Sequence, residues 1–563
     1  MLSPSGFFAQ LLPLAVLAAV PAAAAPPPPW FTDITPGSGI EKAVPASKPY
    51  WLMETPDVMN SGVALHDFDG DGDLDLYFTN CASYWRDAMQ GKTQGNRYFR
   101  QEAGGKFVDA TQASGLGNTS VGAGVAVADY DNDGDLDLFA ANYDRDRLYR
   151  NRGNGTFEDV SKSLNIESDK WSCSAAFFDA DNDGFLDLAI NQYVDYDSTR
   201  LCKNPAGRRN FCGPKDFNPL SHLLLHNNGN GTFTDISKSS GLASSKGAAL
   251  GVICEDFNQD HRQDIFVAND AYANNLWLNQ GGGKFVDHAL LLGCAFNALG
   301  QAEAGMGIVA ADFDHDLDLD VFITHLRNET NIVFVNEGKI GFDDGTARSG
   351  LGGPSMPFTG FGTAAFDVEL DGDLDLFIAN GAVGLGKVYE GCKLGEPWKF
   401  IAEPKQLYLN DGTGKFQLLG AAESGPLASQ IEVSRGTAAG DIDNDGDLDL
   451  VVSNIMSPNR IYRNDTPRKG HWLIVRAKNP KTKRDEIGAT VTVKAGATQH
   501  LRTISSSWSY LSSSEPFAHF GLGSAGKVDW IQVVWVDGTR ERFPGGGVDR
   551  KVELIRGQGT IEK

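Results

Sequence analysis

Long apolar runs are scarce in this chain of 563 residues. Only residues 1–25, MLSPSGFFAQLLPLAVLAAVPAAAA, qualify, and Gln10 and Pro13 break the run below the roughly 20 apolar residues that a membrane-spanning helix needs. The Ala-x-Ala end gives it the form of a secretory signal peptide, though without a basic n-region. The mature protein is therefore expected to have no membrane span and to be secreted, extracellular or periplasmic. Basic charge is also short. Against 73 Asp and Glu stand 49 Lys and Arg, a formal charge of −24, which argues against nucleic acid as a partner because phosphate binding needs clustered cations. The seven cysteines include no CxxC pair and no His/Cys cluster of zinc type. Cys202 and Cys212 flank KNPAGRRNF and would close a loop disulfide in an oxidising compartment; that most cysteines are small buried hydrophobes stays open. GxSxG, HExxH and phosphate-cradling glycine loops are missing as well, so no catalytic residue or organic cofactor is assigned.

What the chain has in abundance is aspartate in a fixed pattern. DFDGDGDLDL from Asp67 recurs as DYDNDGDLDL from Asp129, DADNDGFLDL from Asp179, DVELDGDLDL from Asp367 and DIDNDGDLDL from Asp441, with looser copies DFNQDHRQDI from Asp256 and DFDHDLDLDV from Asp312. Internal repeats decide an architecture before anything else does. Each copy follows a small alternating segment such as GAGVAVA and precedes an apolar segment such as LFAAN. Then come another apolar segment, a glycine turn and a fourth piece such as FEDVS. Alternation and length make all four strands. Four strands in each of seven repeats predict an all-β seven-bladed propeller over residues 26–465. The last repeat lacks its outer strand, and WFTDITPGSGI at 30–40 matches the missing piece, so Phe31 to Ile34 are expected to complete blade seven and close the ring. After a short linker, 466–470, residues 471–563 read as a small β-sandwich of alternating strands.

Within each copy, D-x-D-x-D-G-x-x-D puts side-chain oxygens at positions 1, 3, 5 and 9, a carbonyl at position 7 and a turn-permitting glycine at 6, the hard-oxygen order of the first part of a calcium loop. The expected ligand sets are Asp67, Asp69, Asp71, Asp73 and Asp75; Asp129, Asp131, Asp133, Asp135 and Asp137; Asp179, Asp181, Asp183, Phe185 through its carbonyl, and Asp187; Asp367, Glu369, Asp371, Asp373 and Asp375; and Asp441, Asp443, Asp445, Asp447 and Asp449. The copy with Asp312, Asp314, Asp316, Asp318 and Asp320 keeps its acids but carries Leu317 where the glycine belongs, which makes it a conditional site. The copy from Asp256, with Asn258, His261 and Arg262, is the one expected to be empty. Four or five calcium ions follow, seven at the limit. These loops hold 32 of the 73 acids, a concentration that a generally acidic surface does not produce. The ions are expected to be structural, holding hairpins that otherwise repel themselves.

Residues 30–465 resemble the FG-GAP or VCBS repeats of integrin-α-like propellers. RDEIGATVTV (484–493), SSSWSYLSSSEPFAHFGLG (505–523) and VDWIQVVWVDG (528–538) resemble an ASPIC/UnbV domain. The combination is similar to the cartilage acidic protein family and its bacterial relatives. That resemblance implies an extracellular calcium-binding protein, and through the UnbV-type members an alternative role in biosynthesis, as an enzyme or accessory.

Strand connections opposite the aspartate turns are long at 80–96, 191–221 and 380–406, and loops on a rigid scaffold are where binding groups concentrate. Tyr84, Trp85, Arg208, Arg209 and Trp398 are the candidate contacts for a protein or glycan partner; the competing reading has the aromatics packing the loops down. Adhesion or interaction through this face is the leading functional expectation. An enzyme with its site in the propeller channel or on the insertion-loop face is the alternative.

Overall fold

A computed structural model describes residues 28–41, 54–79, 85–90, 95–117, 120–166, 168–203, 207 and 209–562, together with Met1. Residues 2–25 of the expected signal segment, Tyr84 and Arg208 lie outside the described residues. Among those described, no helix is long and apolar enough to cross a membrane.

Small and β-branched residues in alternation favour pleated strands, and they form seven sheets of four antiparallel strands, the first joined by a short parallel fifth strand from the C-terminal part of the chain. Blade 1 uses Val63–His66, Asp75–Phe78, Arg97–Glu102 and Lys106–Asp109. Blade 2 is typical of the remainder: Gly122–Ala128 innermost, then Asp137–Asn142, Arg147–Asn151 and Phe157–Asp159. The inner strands meet in cyclic order, from Val63–His66 round to Ser434–Gly440 of blade 7 and back to blade 1. Blade 7 takes its outer strand from the other end of the chain: Phe31 pairs with Asn464, Thr32 with Arg463 and Asp33 with Tyr462. The seam is also ionic. Arg460 binds Asp33 at 3.1 Å and Glu432 at 2.5 Å, and buried Lys405 reaches Glu432 at 3.1 Å.

A hydrogen bond repeated at every blade junction holds the ring. The residue ending the third strand donates its side-chain amide to the carbonyl at position 2 of the preceding blade's aspartate turn. Asn151 gives to Phe68, Asn227 to Tyr130, Asn279 to Ala180, Asn336 to Phe257, Asn410 to Phe313 and Asn464 to Val368. Gln101 gives to Ile442 and completes the circuit. Each such bond satisfies a buried carbonyl that would otherwise be stranded between sheets.

The C-terminal domain is a two-sheet sandwich. One sheet pairs Trp472–Asn479 with Ala518–Gly521 and Arg550–Ile555; the other runs Thr498–Thr503, Thr490–Ala495, Val528–Val534, Arg540–Gly546, Thr560–Glu562. Leu473, Val475, Val491, Val493, Phe520, Ile531, Val533 and Trp535 fill the space between. Between Thr503 and Ala518 the chain leaves this sandwich and enters the propeller.

Candidate metal centres and the capped acid face

In the aspartate hairpins, backbone amides fix most of the carboxylates. Position 1 closes the turn: Asp129 accepts from the amides of Asp133 and Gly134, Asp179 from Asp183 and Gly184, Asp367 from Asp371 and Gly372, and Asp67 from Gly70, Asp71 and Gly72. Position 9 pins the hairpin to its own sheet. Asp137 takes the Tyr130 amide at 3.1 Å on one oxygen and the Asn151 amide at 2.8 Å on the other. Asp75, Asp187, Asp320, Asp375 and Asp449 repeat both bonds. Assigned as a metal ligand from the pattern, position 9 thus also caps backbone amides on both of its oxygens.

Position 3 is different. One oxygen of Asp69, of Asp131, of Asp181 and of Glu369 is buried without any hydrogen-bond partner. Such an acceptor is unfavourable in isolation and suits a cation. Around it the acids gather: Asp67, Asp69 and Asp71 bring carboxylate oxygens within 4.8 Å of one another, as do Asp129, Asp131 and Asp137, and Asp179, Asp181 and Asp183. Burial pushes Asp129, Asp75 and Asp367 up to about 7 and Asp179 to about 6, with neighbouring carboxylates adding to the rise. All-oxygen donors at this spacing fit a hard cation such as calcium.

The turn conformation exposes a signal that the acid pattern concealed. Position 4 has positive φ in every copy: Gly70, Asn132, Asn182, Gln259, His315, Leu370 and Asn444. Glycine and asparagine tolerate this region, so the G/N preference was visible, while the non-glycine exceptions are strained. Leu317 takes φ 71°, so the Asp312 copy keeps the turn backbone without the glycine, although Asp312 holds none of the loop amides. In the Asp256 copy Arg262 pairs with Asp260 and also donates to the Asn279 carbonyl at 2.9 Å, so the protein supplies a cation of its own.

What sequence reasoning missed is that the C-terminal domain sits on this acid face. Arg484, buried, donates to Asn132 Oδ1 of blade 2 and to the Gly184 carbonyl of blade 3. Linker residue Lys469 pairs with Glu369 and with Asp371, the latter at 3.2 Å, and Arg468 with Asp445 at 2.7 Å and Asp447 at 3.1 Å. Lys551 reaches Asp441 at 3.1 Å. Cations on an acidic protein are here placed against its most acidic surface.

The propeller channel, one of the two places considered for an enzyme site, is occupied by the chain itself. Residues 504–516 fill it. Ser513 and Ser514 pair in parallel with Ala64 and Leu65, Ser509 exchanges backbone bonds with Ile308, Leu511 accepts from the Val125 amide, and Ser509 Oγ accepts from the Thr363 amide. Inner strands of a ring carry unpaired edge groups, which this segment satisfies. Tyr510, fully buried, packs edge-on against Phe361 and donates to the Met59 carbonyl at 2.9 Å. Arg435 lies 3.8 Å above the Phe361 ring and donates to the Val58, Gly381, Ser434 and Ala382 carbonyls. Only a run of serines hinted at this role, as a supply of small hydroxyl donors and acceptors.

On the opposite face, two of the contact candidates are corrected. Trp85 and Trp398 are 5% and 2% exposed and belong to the packing of the loops. Trp85 packs at a tilt against Tyr143 and edge-on against Tyr196, and Trp398 joins the cluster that includes Tyr510 and Ile401. Arg209 remains partly exposed, 3.9 Å from Glu54, which also binds Arg86 at 2.7 Å. Cys202 and Cys212 are disulfide-bonded, and Cys173, Cys254, Cys294 and Cys392 are free.

With this geometry in view, the relatives are informative. An FG-GAP-like repeat model matches residues 67–140, 129–190, 256–323 and 402–475, and an ASPIC and UnbV model matches residues 479–561. Cartilage acidic protein 1 of Xenopus tropicalis is 26% identical over 511 residues, covering 87% of this chain and 63% of the relative. That of Mus musculus is 24% identical over 503 residues, covering 87% and 64%. The chain thus spans less than two thirds of the length of these relatives. Among solved structures, PorZ, a surface component of the type-IX secretion system of Porphyromonas gingivalis, aligns with TM-score 0.40 at 12% identity over 90% of this chain and 61% of PorZ. The chain is all-β, carries FG-GAP-like repeat matches followed by an ASPIC and UnbV match, and over 87% of its length is similar to cartilage acidic protein 1.

Proposed function

We propose that the protein is an exported interaction scaffold whose propeller is held by structural calcium in the hairpins from Asp67, Asp129, Asp179, Asp367 and Asp441, and whose partner, a protein or a glycan, binds the insertion-loop face. The observation that carries the calcium reading is the buried, unpartnered position-3 oxygen in four of these hairpins. In the fifth, Lys551 stands at Asp441 and Arg468 at Asp445 and Asp447, and in the Asp367 hairpin Lys469 stands at Glu369 and Asp371, so these two copies balance an ion against protein cations and are the weakest of the five. Calcium here needs no further chemistry. It neutralises carboxylates that burial otherwise forces to take up protons.

The choice of face follows from coverage. The acid face is occupied by the C-terminal domain and the channel by residues 504–516, while the described parts of the loops 191–221 and 380–406 stay open on the opposite face. Arg200, Lys203, Arg209, Lys215, Lys387 and Lys393 are exposed or partly exposed cations on these loops, on a chain of net negative charge, and Arg86 is a further exposed cation nearby, paired with the same Glu54 as Arg209.

Calorimetric titration of calcium into the chelator-stripped full chain, with melting followed in parallel, tests the reading. Four or five ions bound with a large rise in melting temperature is the expected result. Fewer than two ions, or binding without stabilisation, overturns it.

A further inference from the structure

Blade 5 departs from its counterparts at two points, and a histidine of the C-terminal domain meets the second of them. Asp312 opens its hairpin yet both of its oxygens are buried without a partner, where the equivalent Asp129, Asp179 and Asp367 each hold two loop amides. Position 4, glycine or asparagine in four other blades, is His315. Its Nε2 meets Asp373 Oδ1 of blade 6 at 2.8 Å, and its Nδ1 is buried and unpartnered. From the C-terminal domain His500 faces it, ring centroids 5.3 Å apart and planes 79° apart, with Nδ1 again buried and unpartnered. Asp312 is 1% exposed and His500 4%.

We propose that Asp312, His315 and His500 form a mixed oxygen and nitrogen site for one divalent transition-metal ion of the zinc type, different in kind from the all-oxygen hairpins. Imidazole nitrogen suits zinc and its neighbours in the first transition row, whereas calcium takes oxygen. Two imidazoles bound at metal–nitrogen distances of about 2.0–2.1 Å around a tetrahedral ion have centroids roughly 5 Å apart, in keeping with the observed spacing. The His315–Asp373 bond supplies the carboxylate behind a ligating histidine that fixes its ring and tautomer. Arg502, the nearby buried cation, spends its donors on the His519, Leu501 and Gly372 carbonyls and leaves Asp312 unbonded. A cleft of about 590 Å³ lined by His315, His500, Asp371 and Asp373 opens the two imidazoles to an ion, with Asp312 behind them. Since the ligands come from the propeller and from its cap, the ion would staple the two together. The site stands whether or not the other hairpins hold calcium.

The test is titration of Co²⁺, read by its visible ligand-field absorption and by equilibrium dialysis, into the full chain held in excess calcium. One Co²⁺ per chain, displaced by Zn²⁺ and at least 10-fold weaker in His315→Gln and in His500→Gln, is expected. No Co²⁺ retained against calcium, or equal binding in the two variants and the parent, overturns the proposal. Should His500→Gln fail to fold, His315→Gln, on the more exposed side, decides alone, its cooperative melting followed by circular dichroism serving as the control for folding: parental Co²⁺ affinity there is a negative result.

Discussion

The two faces of the propeller solve opposite problems. On the acid face the chain assembles like charges and then covers them, with arginines and lysines from the linker and the C-terminal domain laid against hairpins whose remaining oxygens suit calcium. On the insertion-loop face the chain buries aromatics, Trp85, Trp171, Tyr193 and Trp398 among them, and uses only scattered ion pairs. One face depends on counter-charge and the other on apolar burial. They should therefore respond to different perturbations.

Chelation should separate them most. If each ion contributes roughly 2.7 kcal/mol at 100-fold saturation, removing four or five lowers stability by on the order of 10 kcal/mol, measured by denaturant unfolding with and without chelator. An unchanged midpoint would place both faces on the same footing and end the comparison. Next in size is Tyr510→Ala, which empties the centre of the channel where the two faces meet and should cost about 3–5 kcal/mol with calcium present. A loss under about 1 kcal/mol would mean that the plug is not part of the cooperative core.

Asp131→Asn sharpens the comparison at a single hairpin. Its loss should be about 2–3 kcal/mol in calcium and close to nothing in chelator. Equal losses in both conditions would assign Asp131 to packing.

A pH series probes the other face. Burial lifts Asp270 and Glu403 to about 7 and Asp146 to about 8, all on the insertion side. Their folded forms hold protons that the unfolded chain releases near its ordinary carboxylate value, so the stability they contribute is full below about pH 4. It declines as pH rises through 7 to 8. In saturating calcium the melting temperature should fall from pH 5 to pH 8, and less so in Asp146→Asn. A rise over that window would contradict the assignment. The smallest effect belongs to Arg86→Ala, exposed and paired with Glu54 at 2.7 Å, expected within about 0.5 kcal/mol of the parent. Because that change is nearly silent in stability, any loss of partner binding it causes would map the contact surface.

Much of this was legible because repeats average out ambiguity. One D-x-D-x-D-G segment is weak evidence, while seven, each followed by the same strand spacing, specify hairpins and a ring. Even the seam could be read, since WFTDI complements a unit that ends at Asn464. The third-strand Asn was equally regular in sequence, in YRN, LHN, WLN and YLN, yet its bond to the neighbouring blade was not legible, because a contact across blades has no fixed separation along the chain. Trp85 and Trp398 misled for a related reason: an aromatic in a loop looks the same in sequence whether it faces solvent or, as here, its neighbouring loops.

The amino-acid pattern by itself determined the strands, the turns, the count of units and the oxygen chemistry of the hairpins, since all of these are set by residues within about ten positions of one another. Tertiary structure alone decided that Arg484 would stand over blades 2 and 3, that Tyr510 would close the channel, and that His315 and His500 would meet. Those contacts join residues from 185 to more than 350 positions apart, and no local preference encodes them. They follow from a ring that leaves backbone edges unsatisfied at its centre and negative charge on one rim, both of which the last domain is shaped to meet.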